Sequence, residues 1–433
     1  MMKSFRDFVA EIEKDGTLKR CKRPVSLKYE LAGVLKAAGT TPVLFSKVKE
    51  SEFSAVGNVF TTKDLVARYL GVRKEQLVPT LVNAISNPSM PSDIGSDGAP
   101  VLQNTMSEPD LYKLPIPIHT EKDGGPYIAS GIVVAQDKEL GRNCSFHRMM
   151  IIGKDRIAIR IVPRHLNEFI KRAGGTLDVA VVIGSPINVL LASAISVGLG
   201  EDELKIANTL MPFNTVRLSN GISIPADAEI AFEATITDEM HDEGMFVDLT
   251  ETFDIVRKQP VMKVHKIHYR DNPLFHVLLP GGFEHKVLMG MPREPTVFTE
   301  VSKVCECTGV NITPGGCSWL HGVVSIRKKS EEDGKKAIEA AFSGHKSMKH
   351  VVIVDDDINI YDPQEVEWAI ATRVQADRDL VIKPNQKGSS LDPSADPNTY
   401  ITCKVGVDAT APLANRQDFQ KARFMQVKIE DYI

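Results

Sequence analysis

Tyr127-Ile-Ala-Ser-Gly-Ile-Val-Val134 opens a change of texture in the chain. From here, short alternating or apolar runs follow one another at 128–134, 148–152, 157–162, 179–183, 229–236 and 261–267, with turn residues between them. Strand side chains alternate in direction, so runs of this length and spacing read as a mostly β region, with a barrel as one way of closing it. Helices are expected to interrupt it at about 166–173, at 187–194 and after Glu201.

Upstream, Phe5, Phe8, Val9 and Ile12 fall at helical spacing, and Gly16 can end that helix. Residues 41–46 and 53–59 read as strands and 63–70 as a helix, giving a small α/β unit. Three prolines between Glu108 and Pro117 mark a connector. Downstream the texture is βαβ. A strand at 323–326, a helix at 331–342 and an apolar strand at 351–354 lead to Asp355-Asp356-Asp357. Asp362-Pro363 opens a helix, with Asp as cap and Pro at its first position, and it runs to about Val374 before a strand at 380–383. Such a unit pairs its strands in parallel through a right-handed crossover. Residues 383–412, rich in Gly, Ser, Pro and Asp, read as loop. The expected fold class is α+β, with domains at 1–107, 108–300 and 301–433.

A chain of 433 residues suits two or three cores. Net charge is −4 with no long basic block, which argues against nucleic acid as the main partner. No apolar run nears the ~20 residues of a membrane span. The opening MMKSFRDFVAEIEKDG lacks the apolar stretch of a signal peptide, so the expected location is the cytoplasm. Six cysteines form no disulfide framework. Cys305, Cys307, Cys317 and His321 make a set able to bind zinc in principle, although the spacing fits no common motif and buried strand cysteines are the plainer reading.

No phosphate-binding P-loop, Rossmann glycine fingerprint or hydrolase nucleophile elbow is present. Two polar clusters remain. Asn143-Cys-Ser-Phe-His-Arg148, Arg164-His165 and Glu201-Asp-Glu203 bring amide, imidazole and carboxylate donors, a mixed O/N set suited to a divalent metal such as Mn2+. His241-Asp-Glu-Gly-Met-Phe-Val-Asp248 crowds carboxylates around a glycine, and unlike environments let such carboxylates divide acid and base duties. The ordinary alternatives are solvated strand ends, an acidic helix start and an acidic surface turn. Asp355–Asp357 reads as a strand end meeting solvent, and Pro280-Gly-Gly282 as a turn or a phosphate cradle.

Taken in order, several segments together resemble the UbiD family. They are Leu114-Pro-Ile-Pro-Ile-His119, Asp123-Gly-Gly125, Tyr127-Ile128, Pro280-Gly-Gly282, Glu284-His-Lys286, Met289-Gly290, the run from Lys349 to Ile358, Ala371-Thr-Arg373, Asp377-Arg-Asp379, Gly388-Ser389, Leu391 to Ser394 and Asp408-Ala-Thr410. The resemblance covers nearly the whole chain.

It implies an N-terminal α/β unit, a central split β-barrel flavin domain and a C-terminal α/β oligomerisation domain. It further implies prenylated FMN held with a divalent metal, usually Mn2+, and often K+. Carried over by position, the metal ligands are Asn143, His165 and Glu203, and Arg148 contacts flavin and substrate carboxylate. Ala192-Ser-Ala-Ile195 matches the stretch contacting K+ and phosphate, so Phe146, His147, Arg164, Ser193, Ala194 and Lys387 join the expected cofactor contacts. His147, Arg164 and Lys387 are also candidates for a substrate phosphate. The family's acidic motif, E-G-P-F-G-E or E-G-P-Y-G-D, here reads Glu243-Gly-Met-Phe-Val-Asp248, with Met245 and Val247 in place of Pro and Gly. Glu243 then pairs with Arg148, and Asp248 is the expected proton donor. The implied activity is non-oxidative decarboxylation of an α,β-unsaturated acid. In the archaeal members that acid is trans-anhydromevalonate 5-phosphate, giving isopentenyl phosphate. The alternatives are a polyprenyl-hydroxybenzoate or other aryl acid, a non-catalytic flavin-binding protein and a plain FMN oxidoreductase. A flavin prenyltransferase is the implied supplier of cofactor, and a dimer or hexamer the implied assembly.

Overall fold

The computed structural model describes residues 4–422 and 424–432. Its centre is a nine-stranded sheet, antiparallel at every pairing. In chain order the strands are β1 (Asn104–Met106), β2 (Tyr127–Ile128), β3 (Ile132–Asp137), β4 (Gly141–Phe146), β5 (Met149–Ile151), β6 (Arg156–Ile159), β7 (Leu177–Ile183), β8 (Ile230–Glu243) and β9 (Arg257–Tyr269). They lie side by side as β2-β5-β6-β9-β8-β7-β3-β4, with β1 paired to β9.

That order has a geometric consequence. β4 is one edge of the sheet and β5 adjoins the opposite edge, yet only His147 and Arg148 separate them in the chain. Three residue steps reach about 10 Å. The sheet therefore rolls until its ends approach, leaving a seam that His147 and Arg148 cross, as the split-barrel expectation describes. Hydrogen bonds hold this link to both sides. The His147 N–H donates to the Gly131 carbonyl at 3.3 Å, and the Arg160 N–H donates to the Arg148 carbonyl at 3.1 Å.

Both faces of the middle strands are covered. Val133, Val181, Phe232 and Val264 pack in one apolar cluster, while Val134, Ala180, Val182 and Ala231 pack in a second with the flanking helices. Double burial explains why these strands read as continuous apolar runs. The expected strand at 128–134 is broken at Ser130, whose hydroxyl donates to the His276 carbonyl at 2.5 Å. The expected strand at 229–236 runs on to Glu243, because its polar continuation stays paired with β9, where Glu243 lies opposite Arg257.

The N-terminal helix Phe5–Lys14 is capped by Ser4 and buries Phe5, Phe8, Val9 and Ile12. Its four-stranded sheet (Lys19–Arg20, Val43–Phe45, Ser54–Gly57) is completed by Leu274–Val277, a strand supplied by the central region. The segment 1–107 thus closes its sheet only with a strand from beyond it.

The C-terminal sheet runs Glu306–Ile312, His321–Arg327, His350–Asp355, Ile401–Ala409, Leu380–Lys387. Its inner pairs are parallel, as the βαβ reading requires. The loop expectation for 383–412 is corrected here, since Ile401–Ala409 is an interior strand. The cause is an inverted pattern. Thr402, Lys404, Gly406 and Asp408 face inward, while Ile401 and Cys403 are exposed. The zinc possibility also falls away. Among the described residues no group of three His, Cys, Asp or Glu could hold a metal, and His321 bonds Thr313 instead. No helix among them is long and apolar enough to cross a membrane.

Candidate active site

A cavity of about 330 Å³ opens beside the seam. It gathers Asn143, Phe146 and His147 from β4 and the link, and Arg164 and His165 from the start of helix His165–Arg172. Ser193 and Ala194 come from the end of helix Ile187–Ala192, and Glu203 from the first position of helix Glu203–Leu210. Residues scattered over some sixty positions are brought to one cleft because three helix ends abut the edge strand β4.

Glu203 is 2% exposed and, among the described residues, has no cationic side-chain partner. It accepts hydrogen bonds from the Asn143 amide at 3.0 Å and the Cys144 N–H at 2.8 Å. Burial pushes its carboxyl up to about 8, against these bonds. A divalent cation would supply the charge that the protein leaves uncompensated. Asn143, His165 and Glu203 in one cleft offer the mixed O/N donors Mn2+ accepts, so the donor set fits the expected metal. Burial also lowers His147 to about 4, which keeps it neutral. Its Nδ1–H donates to the Arg160 carbonyl at 2.9 Å, leaving Nε2 to accept from the Ser145 hydroxyl at 3.0 Å.

Arg148, the next residue, turns to the second cluster. Its Nε and Nη2 donate to the two Glu243 oxygens at 3.0 and 2.8 Å, a bidentate pair. Nη1 donates to Asp248 at 3.2 Å and Nη2 also to Asp254 at 2.9 Å. Glu243 is fully buried and further held by the Tyr127 hydroxyl at 2.8 Å. Burial works against the Arg148 charge, and the bonds and charges of Glu243, Asp248 and Asp254 outweigh it. Phe246 lies under the guanidinium, 5.0 Å from its carbon. Asp254 is paired in turn with Arg257 at 2.6 Å. Arg160 stands near enough to feel the charges of Arg257, Arg148, Asp254 and Glu243, so three guanidiniums face three carboxylates. Asp248 is the loosest of the three, with the longest bond and a side chain 21% exposed.

Glycine pairs make the close approach possible. A Cβ on Gly244 would stand 2.5 Å from the Cα of Gly124, and one on Gly124 would stand 2.6 Å from that of Gly244. The Asp123-Gly-Gly125 segment is thus a backbone platform for the acidic loop, and the Gly124 N–H donates to the Met245 carbonyl at 3.0 Å. The Pro280-Gly-Gly282 segment is a turn and no anion cradle. Its Gly281 N–H is spent on His285 Nδ1 and its Gly282 N–H on the Leu279 carbonyl.

Lys387 stands apart from the cleft. Its amine donates to the Thr399 carbonyl at 2.9 Å and lies 5.4 Å from the Tyr400 ring centre. Sequence reasoning assigned no part to Tyr127, Asp254, His285 or Arg293. Asp254 lies outside any motif, and His285 becomes relevant only when the fold brings it near Asp248, whose charge partly offsets the lowering of its pKa by burial.

Residues 9–85, 93–283 and 286–409 match, in that order, the N-terminal, Rift-related and C-terminal domains of 3-octaprenyl-4-hydroxybenzoate carboxy-lyase, UbiD. The anhydromevalonate phosphate decarboxylase of Methanothermobacter thermautotrophicus is 42% identical, covering 92% of this chain and 95% of its own. That of Methanosarcina mazei is also 42% identical, over 97% and 99%. The UbiD-class enzyme HmfF of Pelotomaculum thermopropionicum, solved in complex with FMN, superimposes with a TM-score of 0.96 at 38% identity over 100% of both chains. An evolved dimeric form of HmfF in complex with prenylated FMN gives 0.91 at 36%, over 99% and 100%. Three matched domains in order, near-complete coverage and identities above 40% lead to one conclusion: this chain belongs to the UbiD family of carboxy-lyases.

Proposed function

We propose that the chain decarboxylates anhydromevalonate phosphate, an α,β-unsaturated acid, using prenylated FMN in the cleft beside the seam. The carrying observation is the position of Arg148, one residue beyond the cleft wall and bonded to both acids of the acidic loop. The archaeal relatives support the substrate class, and HmfF supports the cofactor. Asn143, His165 and Glu203 would hold Mn2+, with K+ near Ser193 and Ala194. When bound, prenylated FMN would supply an electron sink for the pair left on the substrate carbon as CO2 departs.

The chain's own residues do the rest. Arg148 receives the substrate carboxylate, and Glu243, fixed by Tyr127, keeps the guanidinium aimed. Asp248, the loosest carboxylate on Arg148, is the group placed to deliver a proton to the carbon that loses CO2. Phe246 and the buried wall behind it keep water from the reacting carbon.

The test is turnover by protein co-expressed with a flavin prenyltransferase and purified without oxygen, with Mn2+ and K+ added. CO2 release from anhydromevalonate phosphate that is lost in Asp248→Asn is the expected result. Release only from hydroxybenzoates or other aryl acids would overturn the substrate and keep the decarboxylation.

A further inference from the structure

The cleft holds two guanidiniums that no carboxylate answers. Arg293, half-buried, and Arg164, exposed, both line it, and neither makes a salt bridge among the described residues. Three other enclosed guanidiniums are paired: Arg142 with Asp202 at 2.7 Å, Arg148 with Glu243 at 2.8 Å and Arg373 with Asp355 at 2.7 Å, while half-buried Arg160 meets only the Ile161 carbonyl among these residues. Arg293 has no carboxylate partner. Among the described residues its Nε, sealed from solvent, bonds to nothing, and Nη1 donates to the Ser196 hydroxyl. Burial and the charge of Arg164 lower its pKa to about 10. Uncompensated positive charge in an enclosed place is costly unless an anion arrives.

The side chain is also held still. Its guanidinium carbon lies 5.3 Å from the ring centre of Trp319, whose indole N–H donates to the Ser389 hydroxyl at 3.0 Å. A braced guanidinium loses little freedom when it binds.

Its position relative to the reacting end follows from the helix that carries it. Helix Phe283–Gly290 continues through the tighter turn Met291–Arg293. His285, Met289 and Arg293 recur every four residues and share one face. At one end of that face His285 feels the charges of Asp248 and Arg148, and at the other Arg293 feels Arg164. Eight residues of rise separate these ends by roughly 12 Å. The cleft thus runs from a carboxylate-binding arginine to a second, unanswered cationic pair.

We propose that Arg293, assisted by Arg164, is the receptor for a second anionic group of the substrate, a phosphate monoester remote from the carboxylate that Arg148 binds. This rests on the reading above that the substrate is a phosphorylated unsaturated acid. A tetrahedral phosphate offers several acceptor oxygens to two planar donors, and such charge-assisted contacts are strong in an enclosed site. The same chemistry could come from the cofactor's own phosphate, and the experiment separates the two sources.

The holoenzymes of wild type, Arg293→Gln, Arg293→Lys and Arg164→Gln are compared by flavin content, by calorimetric binding of inorganic phosphate, and by kcat and KM for anhydromevalonate phosphate and its dephosphorylated acid. The expected result in Arg293→Gln is KM raised roughly 30- to 100-fold for the phosphorylated acid alone. Flavin content stays at the wild-type level, inorganic phosphate no longer binds, and Arg293→Lys restores part of the loss. Flavin content falling in step with activity would assign the receptor to the cofactor and overturn the proposal. Equal KM in variant and wild type would overturn it as well. Should wild type turn over no phosphorylated acid, the substrate reading fails by itself. Phosphate binding then decides the receptor: loss in Arg293→Gln upholds it and retention overturns it.

Discussion

Two regions of this molecule look alike in sequence and behave differently. The acidic loop sets Glu243, Asp248 and Asp254 around Arg148, and the C-terminal domain sets Asp355, Asp356 and Asp357 around Arg373, Arg327 and Arg416. In the second region each aspartate is gripped by an arginine, and Arg327 pairs with Glu306 as well as Asp356. Further hydrogen bonds go to backbone. Asp355 accepts from the Ala411 N–H at 2.7 Å, and Arg373 donates to the Phe419 carbonyl at 3.2 Å. That network staples the chain's last segment to the sheet. In the first region one acid, Asp248, is loosely held at the edge. A network that grips its acids to sheet and backbone is mortar, whereas one with a loosely held acid beside a cavity has a group free to act.

The comparison can be broken most directly at its two arginines. Arg148→Lys keeps a charge and loses the fork, and turnover should fall about 1,000-fold in protein that still folds. Arg373→Lys should leave turnover per folded molecule within about threefold and instead lower stability in denaturant titration by about 3 kcal/mol, since buried acids lose their partner. An inactive but fully folded Arg373→Lys would end the distinction. Next in size, Asp248→Asn should lower kcat about 100-fold with little change in melting temperature.

A pH series sharpens the same contrast. His147 beside the cleft and His345 in the C-terminal domain are both lowered by burial, to about 4 and about 3. Unfolded histidines take up protons near 6.5, and these two resist until well below it. Stability is therefore complete above that value and declines as pH falls toward 4, by roughly 3 kcal/mol for each group. Metal-free His147→Gln and His345→Gln should each flatten the decline seen by urea titration. The smallest effect is expected from Tyr127→Phe, about tenfold in kcat/KM, because it removes one hydrogen bond from Glu243 and leaves Arg148 in place.

Much of this was legible before any coordinates. The cleft residues Asn143, His165 and Glu203 and the acids Glu243 and Asp248 stand in segments whose order and spacing carry the family resemblance. The apolar runs of the middle region were legible because strands buried on both faces cannot disguise themselves. Ile401–Ala409 was hidden for the opposite reason, with Thr402, Lys404 and Asp408 on its inner face. Asp254 and Arg293 escaped because each acquires meaning only from neighbours far away in the chain, Arg148 for the one, Arg164 and Trp319 for the other. Lys387, a basic residue in the matching stretch, is bonded to the Thr399 carbonyl and does not line the cleft beside the seam.

The ladder pair between Glu243 and Arg257 closes the base of a single excursion of chain that bears Glu243, Asp248 and Asp254. Everything acidic in the reaction centre is therefore a detachable cassette clipped onto a rigid frame. Met245 and Val247 lie within it, so its shape can be rewritten within the thirteen residues 244–256 without disturbing β8 or β9. A protein built this way can change its diet while keeping its skeleton, and grafting the loop of one relative onto another is the natural unit of exchange.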